Sequence, residues 1–205
     1  MQSNLTASNI VIILVSIVIS LVIHEFMHGY VGYLLGDTTA KDEGRLTLNP
    51  LNHIDPFMTV ILPIITLVTF GAPVLAAKPV PFNPERVKYD EFGAALLAAA
   101  GPFANLALAV IAAIIARAIG MPHPDTDSVL GIFIVLNVAL FVFNLLPIPP
   151  LDGSRVLYAF APEPLQQFMR DIEPYGLFIV FGLVLLGGLG GFLVNINQSI
   201  LNHLL

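Results

Sequence analysis

Residues 9–36 read NIVIILVSIVISLVIHEFMHGYVGYLLG, an apolar run that carries His24, Glu25 and His28 in its second half. As a helix this stretch extends roughly 40 Å at about 1.5 Å per residue, long enough to cross a bilayer. An ionisable group near the centre of such a helix costs on the order of 2.5–3.5 kcal/mol on insertion scales, so two imidazoles and a carboxylate there mark a site. The pattern is HEXXH. Its i, i+4 spacing turns the histidines about 400° around the helix, or about 40° apart, so both reach one zinc ion from one face. Glu25 lies about 100° from His24, where it can act on a water at the metal without ligating it. In a soluble helix the same five residues could be an exposed chance pair; within a spanning segment packing gives no reason for a glutamate.

Composition extends the membrane reading to the whole chain. The 205 residues are 57% hydrophobic and 11% charged, with a mean hydropathy of +0.87, whereas soluble domains carry about 25% charged residues. The net charge of −6 is spread through loops and speaks against a nucleic-acid partner. There are no cysteines, which excludes disulfides and thiolate ligands. The first 23 residues lack a basic n-region and an A-x-A site, so the segment is expected to be retained rather than cleaved. No internal repeat is visible, and residues 1–205 are expected to form a single membrane domain.

Apolar blocks fall at 9–35, 57–72, 92–118, 129–147 and 174–195. Between them, 36–56 and 73–90 read as turns and short strands, residues 119–128 as a polar loop, and the chain after Asp152–Gly153 as an amphipathic stretch to Ala161 followed by a proline-punctuated connection through Pro174. Lys41, Arg45, Lys78, Arg86, Lys88, Arg155 and Arg170 lie in 36–56, 73–90 and 148–173, leaving Arg117 near the other side. The positive-inside rule makes those three segments cytosolic and the amino terminus external. A full crossing by 57–72 would export Lys78, Arg86 and Lys88, so this block, with Pro63 inside it, is expected to be re-entrant or hairpin-like, the alternative being a short spanning helix. The expected fold is an α-helical polytopic membrane protein with about four spanning helices, one re-entrant or short segment, and small extended or β segments on the cytosolic side.

A catalytic zinc ion needs a third protein ligand and an open position. The metzincin continuation would place histidine at 34, where the chain has Leu34. Glu43, His53, Asp55 and Asp152 remain as candidates. Asp152 stands out, because FNLLPIPPLDGSR ends an apolar block on the same side as His24 and His28, and its prolines and glycine free the backbone to bend into a cavity. Its alternative role is to cap the short helix that follows. Asn105 could bond substrate or an oxyanion, or tie helices together among Ala94, Ala98 and Gly101. Asn144 and Pro147 would shape the turn that delivers Asp152, with a substrate contact open to Asn144. His53, His123 and His203 read as loop or terminal residues. Phe141 and Phe143 read as lipid-facing or packing residues. Gly182, Gly187, Gly188, Gly190 and Gly191 suggest close helix packing in the last block, or a lateral gate.

Three segments together carry a family likeness: HEFMH in a spanning helix, AAAGPFANL from Ala98, and NLLPIPPLDG from Asn144. They resemble the core segments of the site-2 protease family of intramembrane zinc metalloproteases, and GRLTLNPLNHIDP and AKPVPFNP resemble its compact bacterial and archaeal members. The likeness covers roughly residues 10 to 160. It implies one Zn2+ held by His24, His28 and Asp152, with Glu25 as the catalytic glutamate. It also implies cleavage of single-span membrane proteins within or near their spanning helices, in the inner membrane of a prokaryotic cell with the site opening toward the cytosol. PDZ and CBS modules of longer members are not seen. The partners expected are substrate and the lipid bilayer; no oligomeric state follows.

KPVPF, residues 78–82, reads as extended, since proline disfavours helix for itself and for the residue before it. Pro79 and Pro81 silence one edge, leaving Lys78, Val80 and Phe82 with donors on the other, an edge suited to clamp unwound substrate unless already paired. The competing classes fit less well. A zinc transporter would show several intramembrane polar sites along a path and often an inverted repeat, and an inactive adaptor would be expected to lose Glu25.

Overall fold

The computed structural model describes residues 7–53, 78, 80–121, 124–125, 127–185 and 190–205. Helix α1 spans Ala7–Leu34 and a four-residue α2 spans Thr39–Asp42. They are followed by α3 (Asp90–Ala118), α4 (Val129–Asn144), α5 (Asp152–Phe160), α6 (Glu163–Ile172), α7 (Gly176–Leu185) and α8 (Gly190–Leu204). Single 3-10 turns lie at Pro50–Asn52, Pro84–Arg86 and Glu173–Tyr175. The stretches 8–34 and 90–118 are long and apolar enough to cross a membrane, and α4 is a shorter apolar helix.

Helix α1 is turned inside out relative to a soluble helix. Val11, Leu14 and Val15 are exposed, while Ser16, Ser20, His24 and His28, each four residues on from the last, are buried in one stripe. An apolar outer face and a polar inner one suit hydrocarbon outside and a polar cluster inside. The helix ends on Gly36, whose φ of +104° allows Gly36 N–H to reach Tyr33 O and Asp37 N–H to reach Gly32 O, the paired C-terminal bonds that release the chain into a loop. At the end of α3, Gly120 closes the helix in the same way, with φ +81° and bonds from Gly120 and Met121 to Arg117 and Ala116 carbonyls.

Helix α3 lies at the centre and packs against α1, α4 and α5. Its buried face is made of small residues, among them Gly93, Ala98, Gly101, Ala109, Ala112, Ala113 and Ala116, which let neighbouring backbones approach closely. Ala109, Ala112 and Ala113 meet Ile134, Val138 and Val142 of α4, and Leu193, Ile196 and Ile200 of α8 cover this cluster. Ser128 starts α4 by accepting Gly131 N–H on its hydroxyl at 3.1 Å. Arg117 donates to the carbonyls of His203 and Leu204 at the end of α8.

Several expectations are corrected. No strand occurs among the described residues; α2 and a 3-10 turn lie within 36–53. In 78–82 the donors that a ladder would need are taken elsewhere, Lys78 N–H by His53 O and Val80 N–H by Glu25. The proline-punctuated connection contains α6, because Pro162 and Pro164 sit at its start, where a missing N–H costs nothing. A Cβ at Gly182, Gly190 or Gly191 would meet nothing among the described residues, so these glycines are not close-packing contacts there. Residues 57–72, Asp55, His123, Gly187 and Gly188 lie outside the described residues.

Candidate metal centre

His24, His28 and Asp152 converge. His24 Nε2 and His28 Nε2 are 2.9 Å apart, and Asp152 Oδ2 is 3.2 Å from the first and 3.4 Å from the second. A tetrahedral ion with bonds of about 2.0–2.1 Å separates neighbouring ligand atoms by roughly 3.3 Å, so the triangle has the size such an ion requires. Asp152 opens α5, whose N-cap, Leu151, makes no side-chain capping bond. The carboxylate is directed at the histidines. Its position depends on Gly153, where a Cβ would fall 2.2 Å from Leu145 O and 2.6 Å from Leu146 O. The chain after α4 can double back this tightly only with glycine there.

The far nitrogens of both rings are spoken for. His28 Nδ1 donates to Leu97 O at 2.8 Å, and His24 Nδ1 donates to Asn105 Oδ1 at 2.6 Å. Both acceptors are oxygens, so each neutral ring carries its proton on Nδ1 and turns the Nε2 lone pair inward. Two lone pairs facing each other at 2.9 Å beside a carboxylate form a set of acceptors without a donor, which is the chemistry of a cation site. Gly101 leaves room for it. A Cβ at that position would lie 2.4 Å from His28 Nε2 and 2.7 Å from His24 Nε2.

Asn105 is fully buried. Beyond the bond to His24, its Nδ2 donates to Asn137 Oδ1 at 2.9 Å and to Ser20 O at 3.3 Å. Every polar atom it has faces inward, so it ties α1, α3 and α4 together behind His24 rather than facing a substrate. Asn137 was not singled out in the sequence, although a lone amide inside IFIVLNVALF is the signal that could have found it. Asn144 Nδ2 donates to Leu140 O one turn back in its own helix. Among the alternative third ligands, Glu43 is exposed and His53, though buried, donates from Nε2 to Thr47 O at 2.8 Å. His203 donates to Ser199 O within α8.

Glu25 is buried and accepts Val80 N–H on Oε2 at 2.9 Å. Lys78 and residues 80–83 are held beside α1 by Arg45 Nη2 on Lys78 O at 2.7 Å, Val80 N–H on Glu25, and Asn83 N–H on Asp37 Oδ2 at 2.7 Å. Gly29 accommodates them, since a Cβ there would come within 3.3 Å of Val80 Cγ1. Burial pushes the Asp37 carboxyl up, but bonds from the Thr39 hydroxyl, Asn83 N–H and Thr39 N–H, with Arg86 nearby, outweigh it and hold the group below the usual carboxylate range. Phe82 stacks beneath the Arg155 guanidinium at 4.8 Å. Of Lys78, Val80 and Phe82, Val80 touches the site, through Glu25, and the edge expected to be open is engaged at Lys78 and Val80. A cavity of about 430 Å³ opens beside this segment, with Phe82, Ala94, Ser154 and Tyr158 in its wall.

A helical protein with membrane-length apolar helices around a buried His-His-Asp cluster belongs to the class of membrane metalloproteins. Comparison with known proteins narrows the class. The model of peptidase family M50 matches residues 120–187. The chain is 38% identical over 190 residues to Putative zinc metalloprotease YwhC of Bacillus subtilis (strain 168), covering 89% of this chain and 83% of that protein. It is 30% identical over 176 residues to Putative zinc metalloprotease Rip2 of Mycolicibacterium smegmatis, covering 85% of this chain and 67% of the relative. No solved structure matches. The chain belongs to peptidase family M50, the membrane-embedded site-2 protease family of zinc metalloproteases.

Proposed function

We propose that this protein is an intramembrane endopeptidase that cuts membrane-anchored, single-span proteins within or near their spanning helices, with one zinc ion held by His24, His28 and Asp152. The observation that carries the reading is the convergence of two Nε2 atoms and a carboxylate oxygen within 2.9–3.4 Å in the inner stripe of an otherwise apolar helix. Zinc, when bound, supplies Lewis-acid polarisation of the scissile carbonyl and acidifies the attacking water. Glu25 does the proton work: it takes a proton from the attacking water and delivers it to the leaving amine. Val80 N–H holds one carboxylate oxygen, which orients Glu25 and leaves Oε1 for the proton. The apolar outer face of α1 keeps the bilayer around the site, and Gly101 keeps the space between the rings and α3 clear.

In this reading residues 1–205 act as one domain in a prokaryotic cell membrane, with an external amino terminus, four crossings and the site opening toward the cytosol. The contact of Arg117 with the end of α8 supports the last block running the same way as α3. The test is a panel of native single-span proteins incubated with purified protein in bilayers. Wild type should cut a subset near the membrane boundary, and Glu25→Gln should keep stoichiometric zinc while losing about 10²–10⁴-fold in rate. Wild-type turnover by Glu25→Gln would remove the proton role of Glu25.

A further inference from the structure

The two imidazoles are oriented by different means. His28 Nδ1 meets a main-chain carbonyl, Leu97 O, which can only accept, so its tautomer is settled by the backbone. His24 Nδ1 meets a side-chain amide, Asn105, which could present either its oxygen or its NH2. Something must choose.

Asn137, at 2.9 Å, makes the larger part of the choice beside the Ser20 carbonyl at 3.3 Å. Asn137 is fully buried in the apolar helix α4, where an amide without partners is costly. Its Nδ2 donates to Phe133 O, one turn back, at 2.9 Å. That carbonyl only accepts, so the oxygen of Asn137 must face Asn105. Asn105 then has to turn its NH2 toward Asn137 Oδ1 at 2.9 Å, where it also reaches Ser20 O. Its oxygen is left for His24, at 2.6 Å. The ring consequently keeps its proton on Nδ1 and its lone pair on Nε2, the atom 3.2 Å from Asp152. The relay is anchored on main-chain carbonyls at Phe133 and Ser20, so its direction does not depend on how either amide is drawn.

We propose that Asn137 is a positioning residue for the metal site: acting through Asn105, it selects the Nδ1–H tautomer of His24 and so sets zinc affinity. The proposal rests on His24 being a ligand. Asn137→Leu removes the closer of the two acceptors that hold the Asn105 NH2, leaving Ser20 O at 3.3 Å, and should weaken zinc binding about 10–100-fold, the usual effect of losing a partner behind a metal-bound histidine. Asn137→Asp, neutral in an apolar helix, can donate to Phe133 O and accept from Asn105, and should restore affinity to within about threefold of wild type.

The decisive readout is ¹⁵N NMR of the His24 ring in the metal-free full-length protein. Wild type and Asn137→Asp should show one tautomer, protonated at Nδ1, and Asn137→Leu a mixture, with KM for substrate unchanged at saturating zinc. A single Nδ1–H tautomer and wild-type zinc affinity in Asn137→Leu would overturn the proposal. So would mixed tautomers in Asn137→Asp, which keeps the test open if the leucine variant does not fold. Wild-type zinc affinity in His24→Ala would instead overturn the ligand role beneath it.

Discussion

The two flanks of the site are built from different materials. On the metal flank, His24 and His28 are held from behind by Asn105 and Leu97 O, and Gly101 brings α3 against their inner faces. Both partners and Gly101 sit on α3, whose small-residue face packs against α1, so neither ring can turn unless α3 moves. On the proton flank, Glu25 is held by one main-chain N–H of a segment that is itself tied down by Arg45 and Asp37. The metal flank is made rigid by helix packing and the proton flank by a tethered strap. Changes on the first should remove the metal, and changes on the second should spare it.

The sharpest way to break this contrast is Gly101→Ala. A methyl group 2.4 Å from His28 Nε2 cannot be relieved by a flexible side chain, because α3 itself would have to retreat from α1. We expect loss of zinc and about 100-fold loss of activity, near the upper end of a 1–3 kcal/mol overpacking cost. Full zinc occupancy with normal cleavage would show that the metal flank is looser than its packing implies.

Val80→Pro addresses the other flank. It deletes the N–H that Glu25 accepts, a bond to a charged group worth about 1.5–3 kcal/mol, and should cost roughly 10–100-fold in rate with zinc content unchanged. Val80→Ala keeps the donor and should cost no more than about twofold. Equal rates for the two variants on a membrane-embedded substrate would detach the strap from the function of Glu25.

The smallest effect is expected at Asp37, the far tether of the strap. Asp37→Asn weakens the bonds from Asn83 and Thr39 and should reduce stability by about 1 kcal/mol at neutral pH. Because the folded carboxyl titrates below its ordinary value, its contribution is fully present above about pH 4 and fades as pH falls through the lower folded value. Wild type and variant should therefore converge in strong acid. A stability difference that grows below pH 4 would contradict this sign.

Much of this arrangement was legible in residue order. The apolar run of 9–36 and the i, i+4 histidines announced α1 and its inner stripe, and PPLDG marked the doubling back that brings in Asp152. What stayed hidden depends on contacts between distant segments. EPLQQFMRDI forms α6 although two prolines flank its start, because proline disrupts a helix interior but not its first turn. NINQSILNHL extends the last helix to Leu204, where the polar residues broke the apolar run. KPVPF reads as a strand edge, but Val80 finds its partner in a side chain 55 residues earlier. For Asn105 residue order leaves open a choice between substrate and helix contact, and its bonds to His24, Asn137 and Ser20 are helix contacts.

His24, His28 and Asp152 should share one metal ion. Zinc-edge X-ray absorption on the purified protein, paired with metal analysis of Asp152→Ala, tests this most directly. The expected result is one zinc per chain, with two imidazole nitrogens and a carboxylate oxygen at about 2.0–2.2 Å, and a large loss of zinc in Asp152→Ala. Unchanged zinc affinity and an unchanged coordination shell in that variant would contradict it and leave Asp152 as an ordinary residue in the first turn of α5.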